Sequence, residues 1–212
     1  MKLKKIASLM LAGVMAISML AGCSNGNGGK DEGTVVVPSD LTGKVIAALD
    51  EDTTDLISFS SSTTLNNAVA TAVKMVGTNN PNGITVTLLN SIDSNIAKAA
   101  LTAPATAGTD EADSKANKKE AKGAYVYEPA TVVAGAAESY NVKKLAEELD
   151  AQVKALNLPT HSKDYTVDDE TFYLNYKYTA ELSVVELSNP ITGETDYVVA
   201  ATLVRTASVV NR

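Results

Sequence analysis

The chain has no tryptophan, two phenylalanines, one histidine and one cysteine among its 212 residues. With Cys23 the only cysteine, no internal disulfide can form. A Cys–His nucleophile pair is excluded, and a zinc site built from three or four His and Cys ligands is not available. A Ser–His–Asp triad would have to use His161. That residue stands in the polar stretch Thr160-His161-Ser162-Lys163-Asp164, just after Pro159, and reads as a solvated loop histidine, not an oriented base. A phosphate loop, a dinucleotide fingerprint and an internal repeat are all lacking. The glycines from Gly26 to Gly29 have neither the strand before nor the helix after that phosphate binding needs. With so few aromatics, the core must be built from Val, Leu, Ile and Ala.

The apolar run at the start is also too short for a permanent membrane span. Ile6 to Leu20 is 15 residues, broken only by Ser8, Gly13 and Ser18. A transmembrane helix needs about 20. Lys2, Lys4 and Lys5 precede the run, and small Ala21 and Gly22 follow it. This is the order of a secretory signal.

The tetrad Leu20-Ala21-Gly22-Cys23 resembles the lipobox of bacterial prolipoproteins at all four positions. The resemblance covers residues 1–23 only. It implies that Cys23 receives a diacylglyceryl group, that the chain is cut between Gly22 and Cys23, and that the mature protein sits on the outer side of the cell membrane. A lipid on the thiol accounts for a lone cysteine on an exported chain. Each buried CH₂ adds about 0.8 kcal/mol, so two or more acyl chains hold a protein where one is marginal.

Residues 1–22 carry three Lys and no acid, so the part from Cys23 onward carries 15 basic and 25 acidic residues, a formal −10. That balance argues against nucleic acid, whose phosphates need Lys and Arg, and against a polybasic membrane-binding face. It suits an exported protein held off a negative surface. Five segments follow from the sequence: a signal over 1–22, a lipidated Cys and flexible tether over 23–33, an N-terminal part of the body over 34–102, a polar linker or loop over 103–123, and a C-terminal part over 124–212. The tether, Ser24 to Gly33, has no apolar residue and reaches on the order of 17 Å.

Within the body, Thr34 to Val37 reads as a short strand. Asp40 caps a helix through Leu41, Val45, Ile46 and Leu49, which the acids Asp50-Glu51-Asp52 should stop, since acids are unfavourable at a helix C-terminus. Leu56 to Ser60 reads as a strand. Leu65, Ala68, Val69, Ala72, Val73 and Val76 make a helical stripe, capped by Thr63 or Thr64 and ended by Gly77. A turn spans Asn79 to Gly83. Ile84 to Leu89, ITVTLL, reads as a strand, and Ser91 to Leu101 as a helix. Ala103 to Gly123 has no large apolar residue and Ala124 to Val133 reads as a strand. Asn141 caps a helix through Leu145, Leu149, Val153 and Leu156, ended by Pro159. Phe172 to Val184 alternates apolar and polar over 13 residues, a long half-buried strand; Asn189 to Gly193 is the turn and Tyr197 to Val210 the return. The expectation is an α+β fold: an antiparallel β-sheet with a few amphipathic helices packed on one face.

Two acid clusters stand out, Asp50, Glu51, Asp52 and Asp55, and Asp164, Asp168, Asp169 and Glu170. Calcium takes six to eight oxygens, but neither cluster has EF-hand spacing or its glycine, and solvated helix ends and turns explain them more simply. Any two of the 25 acids could flank a glycosidic bond, and nothing selects a pair. Tyr173, Tyr176 and Tyr178, with Tyr125 and Tyr127, form either a stacking row or ordinary sheet packing, the second suiting the β-propensity of Tyr. No catalytic residue, metal site or cofactor is assigned. The expected function is a lipid-anchored envelope protein, a non-catalytic binding or interaction module that binds a protein partner or forms part of a surface assembly. The alternatives are a small-ligand receptor lipoprotein of a transport system and, less favoured, a hydrolase using paired carboxylates. A two-lobed receptor is disfavoured, because the elements do not alternate as βαβ units.

Overall fold

Two long strands carry the architecture. β5 (Glu170–Ser188) and β6 (Thr195–Asn211) pair antiparallel along their whole length, from Phe172↔Asn211 to Ser188↔Thr195. The computed structural model describes residues 35–36, 41–77, 80–104, 119–129, 136–188 and 195–212. The expected turn at 189–193, the signal, Cys23 and the tether lie outside the described residues. β3 (Lys119–Tyr127) pairs antiparallel with the far side of β6. It begins inside the stretch expected to be a linker; residues 105–118 lie outside the described ones. The described residues all belong to one compact unit.

The other side of β5 is met by a column of short pieces. β4 (Tyr165–Val167) pairs with Glu170–Phe172. Ser162 then donates its backbone N–H to Leu174 O and accepts from Leu174 N through its hydroxyl, both at 2.8 Å, and Tyr176 N donates to Thr160 O. β2 (Ile57–Ser61) follows, parallel to Tyr178–Leu182. Next, the Thr42 hydroxyl accepts from Val184 N at 3.0 Å. Last, β1 (Val35–Val36) pairs with Glu186 and Leu187. Buried backbone groups need partners, and five separate segments supply them here.

The period of two sorts β5 onto two cores. Even-numbered side chains from Leu174 to Val184 join one core, with α1 (Leu41–Ala47) and α5 (Glu138–Ala155) laid on it. Val185 and Leu187 join the other, under α3 (Thr63–Val76) and α4 (Val86–Ile92). The fold is α+β as expected. The sheet is antiparallel except for β2, and helices lie on both its faces, not on one. The α3–α4 layer covers only part of its face: Leu182 to Val185 are buried on both sides, whereas Lys177, Thr179 and Glu181 are exposed.

Local chemistry explains where the elements differ from expectation. The acids at 50–52 open a helix instead of closing one. Asp50 caps α2 (Glu51–Leu56) by accepting from Thr53 N at 2.9 Å, and Glu51 and Asp52 fill its first turn, where acids suit the helix dipole. The carboxylate of Asp150 on α5 accepts the Asp50 N–H (3.2 and 3.3 Å), and Lys154 Nζ reaches Asp50 Oδ2 at 2.8 Å. That lysine, then the Thr53 N–H, holds the Asp50 carboxyl below its ordinary value. ITVTLL is not a strand: Thr85 caps Leu88 N, α4 follows, and Leu89 is its buried residue. Ser91 to Leu101 is not a helix beyond Ile92, where α4 ends. Ser62, not Thr63 or Thr64, caps α3. α5 starts at Glu138, so Asn141 is a buried residue inside it and not its cap.

The stretch after α4 wraps the edge of β3. Ala99 O accepts Ala124 N at 2.9 Å, Leu101 N donates to the Tyr125 hydroxyl at 3.0 Å, and Arg205 Nη1 donates to Thr102 O at 3.0 Å. The crossing occurs over Gly123. A Cβ there would sit 2.0 Å from Leu101 N, so only glycine fits so close an approach.

Candidate functional site

The residues singled out from sequence do not converge. His161 is exposed on the β5 edge, bridged to Asn175, with its Nδ1 3.1 Å from Thr160 Oγ1 and its ring edge-on to Tyr173. Among the described residues, no group of three or more His, Cys, Asp or Glu side chains is placed to hold a metal ion. Asp52 and Asp55 border an open hollow of about 480 Å³ with Ser58, Thr160 and Lys177. Asp164 pairs with Arg212. Asp168 and Asp169 form the tight β4–β5 turn at positive φ (51° and 65°).

The tyrosines pack. Tyr176 and Tyr178 are buried on the α1–α5 face, and Tyr125 and Tyr127 press against the same core. Burial pushes the Tyr178 phenol up to about 12. Tyr127 is raised further, by burial first and then by the charges of Glu148 and Asp150. Arg205, which sequence reasoning missed, is buried among them with its guanidinium 5.3 Å from the Tyr176 ring centre. Tyr173 alone points to the opposite face.

That opposite face holds a cleft among the described residues. Strand register builds it. Lys122 on β3, Val204 on β6 and Thr179 on β5 lie in one row, and Ala124, Thr202 and Glu181 in the next. The start of α3 supplies Thr64 and Leu65, and the turn after α4 supplies Asp93, Asn95 and Ile96. The cleft measures about 430 Å³. Its floor is aliphatic, from Val204, Ile96 and Leu65. Its walls carry hydroxyls, and its rim carries one ammonium and two carboxylates. Asp93 Oδ1 also closes its own turn, accepting from Asn95 N and Nδ2 at 2.9 and 3.0 Å. Lys74 is the only charged residue from Leu56 to Ile92, so the helices beside the cleft bring almost no charge of their own.

No protein-family model, no curated protein and no solved structure matches this chain. The cleft must be judged on its chemistry. It has hydrogen-bonding groups of both kinds, an apolar floor and no nucleophile beside an oriented base among its lining residues. Sequence alternation placed Thr179 and Glu181 on the polar side of β5. Nothing in the sequence indicated that Asp93 and Lys122 would join them, because they come from a turn read as helix and a strand read as linker.

Proposed function

We propose that the chain is a lipid-anchored protein of the bacterial cell envelope, held on the outer side of the membrane through Cys23, with a non-catalytic binding module as its body. The observation that carries this reading is the tetrad Leu20-Ala21-Gly22-Cys23 behind a basic start and a 15-residue apolar run. The acidic balance of the rest supports it, and so does the tether, long enough to hold the body off the headgroups. Among the described residues, no helix is long and apolar enough to cross a membrane.

The test is metabolic labelling of the full chain with a fatty-acid analogue in a bacterial host. Label should enter the native chain and vanish in Cys23→Ser, and mass spectrometry should find the mature N-terminus at Cys23. An unlabelled native chain that still begins at Met1 refutes the anchor. Crosslinking on whole cells then looks for an envelope protein partner. The small-ligand reading gains from one observation, the cleft of about 430 Å³, a volume within the range of small-molecule sites. The hydrolase reading would require Asp93 or Glu181 to be essential for turnover of an envelope glycan, and single Asn or Gln variants decide it.

A further inference from the structure

We propose that the cleft between α3 and the open sheet face takes a short peptide with free termini. This rests on the binding-module reading and names its ligand class. Lys122 and Glu181 stand on β3 and β5 with β6 between them, one row apart in register. Two strand spacings and two residues of rise separate their Cα atoms by on the order of 12 Å. That separation is close to the length of three extended residues at about 3.4 Å each.

The rest of the lining suits the same ligand. A free carboxylate would meet Lys122, and a free ammonium would meet Glu181 and Asp93. Thr179, Thr202 and Thr64 offer hydroxyls that both donate and accept, as peptide N–H and C=O groups need. Val204 and Ile96 give small side chains an apolar floor. Charge complementarity rules out the main competitors. A phosphorylated ligand would meet one cation and two carboxylates. A neutral sugar has no use for opposite charges at the two ends, and no aromatic ring lines the cleft for it to stack on. Glu120 and Lys177, facing each other across Thr206 in the row below Lys122, continue the alternation of sign down the open face.

The experiment is calorimetric titration of the full chain in detergent micelles with tri-alanine, and with tri-alanine acetylated and amidated at its ends. Saturable binding of the free peptide is expected, at least tenfold weaker for the blocked one. Lys122→Met and Glu181→Gln, both at exposed positions, should each weaken the free peptide about tenfold, or 1.4 kcal/mol. Lys122→Met should become indifferent to C-terminal amidation and Glu181→Gln to N-terminal acetylation. Lys74→Ala, on the solvent side of α3, should leave binding unchanged. Three results would overturn the inference: no binding of free di-, tri- or tetra-alanine at 10 mM (~2.7 kcal/mol at 25 °C), equal binding of the blocked peptide, or saturable binding of a neutral trisaccharide alone. Fatty-acid labelling at Cys23 reads the parent proposal separately, so loss of peptide binding with label intact removes the ligand class and leaves the anchor standing.

Discussion

Replacing Gly123 with Ala tests the tightest contact in the fold. The new Cβ would lie 2.0, 2.5 and 2.6 Å from Leu101 N, Cα and Cβ, and two of those three atoms are backbone. No rotamer change relieves that clash, so the 99–102 stretch must lift off β3. Overpacking costs about 1–3 kcal/mol. Lifting also breaks Ala124 N to Ala99 O, Leu101 N to Tyr125 and Arg205 to Thr102 O, each about 0.5–1.5 kcal/mol. Ala restricts the unfolded chain more than Gly does, which offsets about 0.4–1 kcal/mol. The net loss is about 1.5–7 kcal/mol, a drop in Tm of roughly 3–28 °C for a body of this size. Urea melts or calorimetry read it directly. A double-mutant cycle sharpens it: Tyr125→Phe should cost about 0.5–1.5 kcal/mol in the native chain and almost nothing once Gly123→Ala has released Leu101. A Gly123→Ala protein that melts at or above the native temperature would refute the crossing.

Three further outcomes follow from buried groups. Thr42→Val keeps the shape and removes the acceptor of Val184 N, so stability should fall by about 1–3 kcal/mol, with faster amide exchange at Val184; unchanged exchange there would contradict the contact. Asp150→Ala strips the Asp50 N–H of its partner and should cost about 1–3 kcal/mol, part of which Asp150→Asn restores; an Ala variant as stable as the native chain would show that α2 is not held by α5. Burial raises the folded-state values of Tyr178, to about 12, and of Tyr165 and Tyr197. Because the neutral phenol is the favoured form in the fold, this stabilisation is complete below the unfolded value of about 10 and is lost as pH rises toward 12. Absorbance at 295 nm should show a late tyrosine fraction that ionises together with unfolding; full ionisation by pH 11 with the fold intact would exclude buried phenols.

The long-period signals were legible and the short ones were not. Thirteen alternating residues announced β5, and the stripe from Leu65 to Val76 announced α3, because many positions vote together in each. ITVTLL misled because six β-branched and Leu residues favour a strand only if a neighbour pairs with them; Thr85 capped a helix turn and Leu89 found the second core instead. Asp50 to Asp52 misled because acids oppose one helix end and favour the other, and a three-residue break over Ala48, Leu49 and Asp50 turned the first case into the second. The cleft was invisible for a different reason. Its charged rim draws on residues 93, 122 and 181, and which of them meet is decided by the β3–β6–β5 register.

The column of short pieces along β5 sets an order of events. Three of its partners, β1, Thr42 and β2, come from early in the chain, and the Thr42–Val184 hydrogen bond spans 142 positions. A chain synthesised from its N-terminus exposes α1, β2 and α3 long before β5 and β6 exist to receive them. Such distant pairings pay their loop-closure entropy before they gain anything, which makes folding slow. α1, α3 and α4 therefore wait with their apolar stripes uncovered, the condition in which chains aggregate. Losing β5 would remove the template on which β1, β2, β4 and β6 all pair, whereas losing Val35 and Val36 would remove only the final piece of the edge.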